Sequence, residues 1–197
     1  MSWNCAIAVV EGAAPAELAG AGLRPVDGTV LADFVLTADT SAVGYPGAVF
    51  AAAVPSGTVL LGDMLDVLGL APVLAPVLGR TVRLAVFGGT SDSYLWQVTA
   101  PGGPLRELRS QEGQIELDDG EPDTAEAAAG IGPLTEDSLM ELLQRTTGVA
   151  LDDALISTET TPYVRDGDVS GPGDPVSGQA VPAPRRRSLM DRLRRRR

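Results

Sequence analysis

The chain contains no histidine, and all fifteen of its basic residues are arginine, so lysine is absent too. Without His it lacks the commonest general base and the commonest metal ligand. Without Lys it lacks the cation of a phosphate-binding loop and the amine of Schiff-base chemistry. Cysteine occurs once, at Cys5, which excludes an internal disulfide and fits a reducing compartment. With no His to activate it, Cys5 is expected to be a buried, inert thiol and not a nucleophile. Aromatic residues are scarce, with two Trp, three Tyr and three Phe, so the core must be built largely from small side chains. No window approaches the roughly 20 continuous apolar residues of a membrane-spanning helix. Met1-Ser2-Trp3-Asn4-Cys5 lacks the basic residues that open a signal peptide. A cytoplasmic location is the expectation.

The 197 residues are 44% apolar, enough for one domain with a real core. Residues 81–118 carry the clearest pattern. Val82, Leu84 and Val86 alternate with Arg83, Ala85 and Phe87. Tyr94, Trp96 and Val98 alternate with Leu95, Gln97 and Thr99. Gly88-Gly89-Thr90-Ser91-Asp92, Pro101-Gly102-Gly103-Pro104 and Glu112-Gly113 separate these runs from each other and from Leu105–Arg109 and Ile115–Leu117. Period-two alternation between turn residues predicts an antiparallel meander. The fold class read from the chain is therefore α+β, a single domain with a mainly antiparallel sheet covered by a few short helices.

The rest of the chain fits around that sheet. Residues 5–10 form an unbroken apolar run, predicted as a strand buried on both faces. Residues 15–19 predict a short helix, with Pro15 at its first position and Gly20 or Gly22 at its end. Residues 24–39 fit a strand or a buried helical turn equally well. Residues 48–54 and 58–61 predict a hairpin with the three-residue loop Pro55-Ser56-Gly57. Met64, Leu65 and Leu68 have helical spacing. In residues 70–78, Pro72 and Pro76 stand four apart, which argues against one regular helix. Residues 118–132 read as an acidic loop. The clearest helix covers 134–148, with Thr135 as N-cap, Glu136 and Asp137 in the first turn, a Leu134–Leu139 staple and Gly148 as C-cap. Leu139, Leu142, Leu143 and Thr146 share one face. A further helical turn begins at Asp152. The predicted organisation is a domain over residues 1–165, a Gly/Pro/Asp-rich linker over 166–184 expected to be disordered, and an Arg-rich tail over 185–197.

Charge divides the chain. Residues 185–197 hold eight Arg and one Asp, a net of +7, while the other residues hold seven Arg and 25 carboxylates, a net of −18. An acidic body argues against nucleic-acid binding by the folded part. The tail is different. Arg185, Arg186, Arg187, Arg192, Arg194, Arg195, Arg196 and Arg197 form a basic segment suited to an anionic membrane surface or nucleic acid, or to a transient contact with its own acidic body. Leu189, Met190 and Leu193 could share one face of a short helix there.

No residues assemble into a recognisable catalytic set, and no cofactor motif is present. Asp118, Asp119, Glu121 and Asp123 fit either a hard-cation site or a solvated acidic loop. Asp166, Asp168, Ser170 and Asp174 match the spacing of a calcium loop, with Gly171 at its sixth position, but Ser177 stands where the bidentate Glu belongs. Gly88-Gly89-Thr90-Ser91 could offer N–H groups to a phosphate, yet with no following helix a hairpin turn is the expectation. Trp3, Tyr94 and Trp96 fit a pocket wall or, more simply, core.

The order of the parts resembles a group of small actinobacterial proteins. The resemblance rests on Trp3 leading the first strand, on Gly12-Ala13-Ala14-Pro15-Ala16-Glu17-Leu18 as a GxxPxEL-like helix, and on Thr147-Gly148-Val149-Ala150-Leu151 as a late LTGVxL-like turn. It spans roughly residues 3–155. Thr146-Thr147 replaces the Leu-Thr of the late motif, and the Arg-rich tail lies outside it. The resemblance implies one α+β domain and no particular activity. By analogy it suggests an immunity-like or accessory interaction protein, and the acidic body with no assembled catalytic set suits a basic protein partner. The alternative is a carboxylate-only cation-binding protein or small hydrolase using residues 118–123.

Overall fold

The computed structural model describes residues 4–37, 45, 47–130, 132–150 and 153–166. Trp3, most of the calcium-loop pattern (Asp168, Ser170, Asp174) and the whole of the Arg-rich tail lie outside these residues.

Among the described residues, ten strands form one antiparallel sheet. They are β1 (Asn4–Glu11), β2 (Leu23–Pro25), β3 (Val30–Leu31), β4 (Val49–Val54), β5 (Gly57–Gly62), β6 (Val82–Gly88), β7 (Ser93–Ala100), β8 (Gly103–Gln111), β9 (Gln114–Asp119) and β10 (Glu159–Arg165). The order across the sheet is β2-β10-β4-β5-β1-β6-β7-β8-β9, with β3 paired to β10. The predicted meander is its right half, β6 to β9, each strand hydrogen-bonded to the next. Among the described residues a 3₁₀ helix (Pro15–Ala21) and six α-helices accompany the sheet. These are α1 (Ala32–Thr37), α2 (Met64–Leu68), α3 (Ala71–Leu78), α4 (Thr124–Ala129), α5 (Glu136–Thr147) and α6 (Asp153–Ile156). The α+β class is thus as the sequence predicted.

β1 is central, and every residue from Cys5 to Val10 is buried, as its unbroken apolar run requires. Its two faces meet different helices. Ala6, Ala8 and Val10 pack with Leu60 and Leu84 against Leu18 of the 3₁₀ helix, Val67 of α2 and Leu74 of α3. Cys5, Ile7 and Val9 belong to the opposite face, with Phe50, Leu61, Phe87 and Trp96, beneath α1 and α5. The small residues of β1 let both helical layers approach closely. Tyr94 and Trp96 are core, as is Cys5.

α5 follows its sequence signals closely. The Thr135 side chain accepts the N–H of Ser138, Gly148 closes the helix, and Leu134, Leu139, Leu142 and Leu143 are buried. The Leu134 N–H donates to the buried Ser110 hydroxyl of β8 at 2.7 Å, which ties the start of the helix to the sheet.

Several expectations are corrected. The β4–β5 connection is a two-residue turn, Pro55-Ser56, because Gly57 already belongs to β5. Gly57 has φ +145°, and a Cβ there would lie 2.1 Å from the Val10 carbonyl oxygen, so only glycine lets the hairpin end lie against β1. Residues 71–78 do form one helix despite two prolines. Pro72 sits in the first turn, where no intrahelical N–H is needed, and the bond missing at Pro76 would run to the Pro72 carbonyl on the same exposed face. In α2 the buried residue is Val67, while Leu65 is 76% exposed. The ambiguous residues 24–39 contain both strand and helix. β10 carried no strand signal, because Pro162 interrupts it. It is nonetheless interior, with Pro162 opposite Phe50 and its carbonyl accepting the Val26 N–H. Finally, residues 118–132 are not wholly loop, since α4 lies within them.

Candidate interaction surface

The sheet ends in a ribbon made of β8, β9 and the acidic segment that follows. A row of three cross-strand partners underlies it: Arg83 of β6, Val98 of β7 and Arg106 of β8. The register of β8 shifts between Val98 and Thr99, with Leu105 as the extra residue; this bulge sets Arg106 opposite Val98, and Arg106 shares the buried face with Leu108 and Ser110. Two guanidinium groups therefore flank Val98 on one face of the sheet.

The acidic segment folds back over them. Arg83 donates to Glu11 and to Asp123, each at 2.5 Å. Arg106 donates to Glu126 at 2.7 Å, to Asp118, and to the carbonyls of Asp119 and Gly120 at 3.0 and 3.2 Å. Asp123 also caps α4, accepting the Glu126 N–H at 2.8 Å. Arg106 and Glu126 are 5% and 3% exposed, a buried ion pair. Burial works against the charge of each arginine, but hydrogen bonds and proximity to Glu126 and Asp118, or to Glu11 and Asp123, outweigh it. Both guanidiniums titrate above their ordinary range.

Gly120 makes the return possible. Its φ is +81°, and a Cβ there would lie 2.0 Å from the Leu105 carbonyl oxygen. The chain leaves β9 by crossing directly over the β8 bulge, which no side chain at 120 would permit.

The carboxylates of the segment consequently divide into two sets. Asp118, Asp123 and Glu126 are engaged by arginine. Glu112, Glu116, Asp119 and Glu121 are exposed, and among the described residues no ion pair engages their side chains. They frame β9, which is exposed at all six of its positions. Ile115 and Leu117 between them are 44% and 38% exposed. Asp118, Asp119, Glu121 and Asp123 do not act as the one cluster their sequence spacing suggests: Asp118 and Asp123 face separate guanidiniums. Among the described residues, no group of three or more His, Cys, Asp or Glu side chains is arranged to hold a metal ion. Arg83 and Arg106, which hold the segment, are not among the residues that composition or motif spacing singles out. An arginine at an inward-facing strand position was the available signal.

The other candidates are quickly placed. Cys5 is buried, and burial, with Glu136 as a smaller cause, raises its pKa to about 12. Gly88–Ser91 is a hairpin turn closed by the Ser91 N–H on the Gly88 carbonyl at 3.0 Å. Asp166 is exposed and lies 3.8 Å from Arg24. No helix among the described residues is long and apolar enough to cross a membrane. Comparisons with protein families, with curated proteins and with solved structures gave no match.

Proposed function

We propose that this chain is a non-enzymatic interaction domain whose acidic ribbon receives a basic protein partner, in the manner of an immunity or accessory protein. One observation carries the reading: Glu112, Glu116, Asp119 and Glu121 are exposed without ion-pair partners among the described residues, around an exposed edge strand that two arginines hold in place. A net charge of −18 outside residues 185–197 adds long-range attraction for a basic partner. Apolar Ile115 and Leu117 supply surface that contact would remove from water. The carboxylate-only cation site or hydrolase draws no support from a segment whose Asp118 and Asp123 are turned to different guanidiniums.

The test is affinity capture from native lysate with the full chain and with a variant in which the four exposed carboxylates become amides. The proposal expects a stoichiometric basic protein that the variant does not retain and that added salt releases. A clean monomer under several growth conditions counts against it.

The Arg-rich residues 185–197 have a second role in this proposal, weak and reversible contact with an anionic membrane or nucleic acid from a cytoplasmic position. Near an anionic bilayer each arginine is worth about 1 kcal/mol. Co-sedimentation of the full chain with anionic vesicles, falling with salt and absent with neutral vesicles, supports this role. Equal behaviour with both kinds of vesicle, with nucleic acid also ignored, removes it.

A further inference from the structure

We infer that β9 takes an extended, arginine- or lysine-bearing segment of a separate protein as the next strand of the sheet. The inference rests on the acidic-ribbon reading and gives it a geometry.

β9 is the last strand of the sheet order, so one side of its backbone has no strand partner among the described residues. An open edge of this kind is a template for strand addition unless something covers it. The opposite edge, β2, offers three residues and contains Pro25, whereas β9 offers six and no proline. The edge is also held in position. Arg106 binds the carbonyls of Asp119 and Gly120 at 3.0 and 3.2 Å, so the end of the strand is fixed before any partner arrives.

Its side chains define what would fit. Leu117 lies opposite Arg109 and Asp119 opposite Glu107, so both belong to the face turned away from α5. Ile115 lies opposite Ser110, on the other face. The register shift between these positions leaves Glu116 as the bulged residue. Each face of an added strand would thus meet one apolar side chain near a carboxylate, which suits basic and apolar residues in alternation. The bulge interrupts the ladder and keeps the pairing short, so exchange should be fast.

Two other occupants fit less well. A second copy brings the same uncompensated carboxylates to the edge, and like charges oppose each other across strands. The chain's own arginines start from the wrong side. β10, which ends beside Asp166, is seven strand intervals from β9, about 34 Å at ~4.8 Å per interval. Even a fully flexible linker over residues 167–184 has a root-mean-square span of only about 21–25 Å. Reaching β9 would stretch it past that span and lower its effective concentration there.

The test uses the full chain and a short peptide alternating arginine and valine, with a second peptide N-methylated at every other residue. N-methylation keeps the charge but removes the donors that a ladder needs. The inference predicts calorimetric binding of the first peptide, weakened roughly tenfold or more by N-methylation, and slowed hydrogen exchange at β9 amides. It also predicts loss of binding in Glu116→Arg and Asp119→Arg, both at exposed positions where the fold should persist. Equal binding of the two peptides, still abolished by the charge reversals, overturns strand addition but leaves the acidic surface standing. Binding of neither peptide overturns both. Protection, in the chain alone, of the β9 amides that point away from β8 shows a built-in occupant and overturns the inference. If that protection rises with protein concentration, the occupant is a second copy; if it does not, it is the chain's own tail.

Discussion

Replacing Arg106 by Met should be among the most damaging single changes in this protein. Arg106 is 5% exposed and its partner Glu126 is 3% exposed. The substitution leaves the Glu126 carboxylate buried without a counter-charge, because Arg83, the other guanidinium of the row, is occupied by Glu11 and Asp123. Breaking a buried pair from one side typically costs about 3–5 kcal/mol. Asp118 adds little to that figure, since at 55% exposure it can rehydrate. Glu126→Met should cost less, about 1–2 kcal/mol, because Arg106 keeps Asp118 and two carbonyls. Removing both charges, as Arg106→Met with Glu126→Met, should recover most of the loss and leave about 1 kcal/mol or less. The coupling energy expected is therefore about 3–6 kcal/mol, which urea unfolding of the four proteins can resolve. An Arg106→Met cost below about 1 kcal/mol, or strict additivity, would show that the pair is solvated and that the arginines do not hold the acidic segment.

Three further outcomes follow from the same structure. The Cys5 thiol, raised from 9.0 to about 12 in the folded protein, keeps its proton where the unfolded chain loses it; the associated stability is complete below pH 9 and declines as pH rises toward 12, by up to about 4 kcal/mol, so Cys5→Ala should flatten the alkaline arm of a pH–stability profile. Leu142→Ala, at a fully buried site on α5, should cost about 2–5 kcal/mol by chemical denaturation, and a change under about 0.5 kcal/mol would place that face in solvent. Gly120→Ala combines a positive φ with a Cβ 2.0 Å from the Leu105 oxygen, so it should cost more than about 1 kcal/mol and speed proteolysis between residues 120 and 130; unchanged cleavage would contradict the described crossing over β8.

What could be read from the residues alone was whatever local pattern decides. The alternation in residues 81–118 gave the meander, the apolar run at Cys5–Val10 gave the doubly covered strand, and Thr135, Leu134, Leu139 and Gly148 gave α5 with its cap and buried face. What escaped depends on distant partners. β10 is a strand because β4 and β2 flank it, although Pro162 argues against one. α3 tolerates Pro76 because the unmade bond lies on the exposed side of a short helix. The acidic segment reads as a single solvated cluster until Arg83 and Arg106, up to 40 residues away in sequence, are seen to face three of its carboxylates. Arg106 lies opposite Val98, in the row with Arg83, only because Leu105 is bulged, a property of pairing that no window of sequence displays.

The central claim is that the ribbon is where this domain meets its partner. Its most direct test is backbone amide hydrogen exchange over the full chain, alone and bound to the basic protein it retains from lysate. The account predicts slowing concentrated in β9 and the flanking Glu112 and Glu121, abolished when Glu116 and Asp119 are reversed to arginine. Slowing confined to other elements, with β9 exchanging as in the free protein, would contradict it.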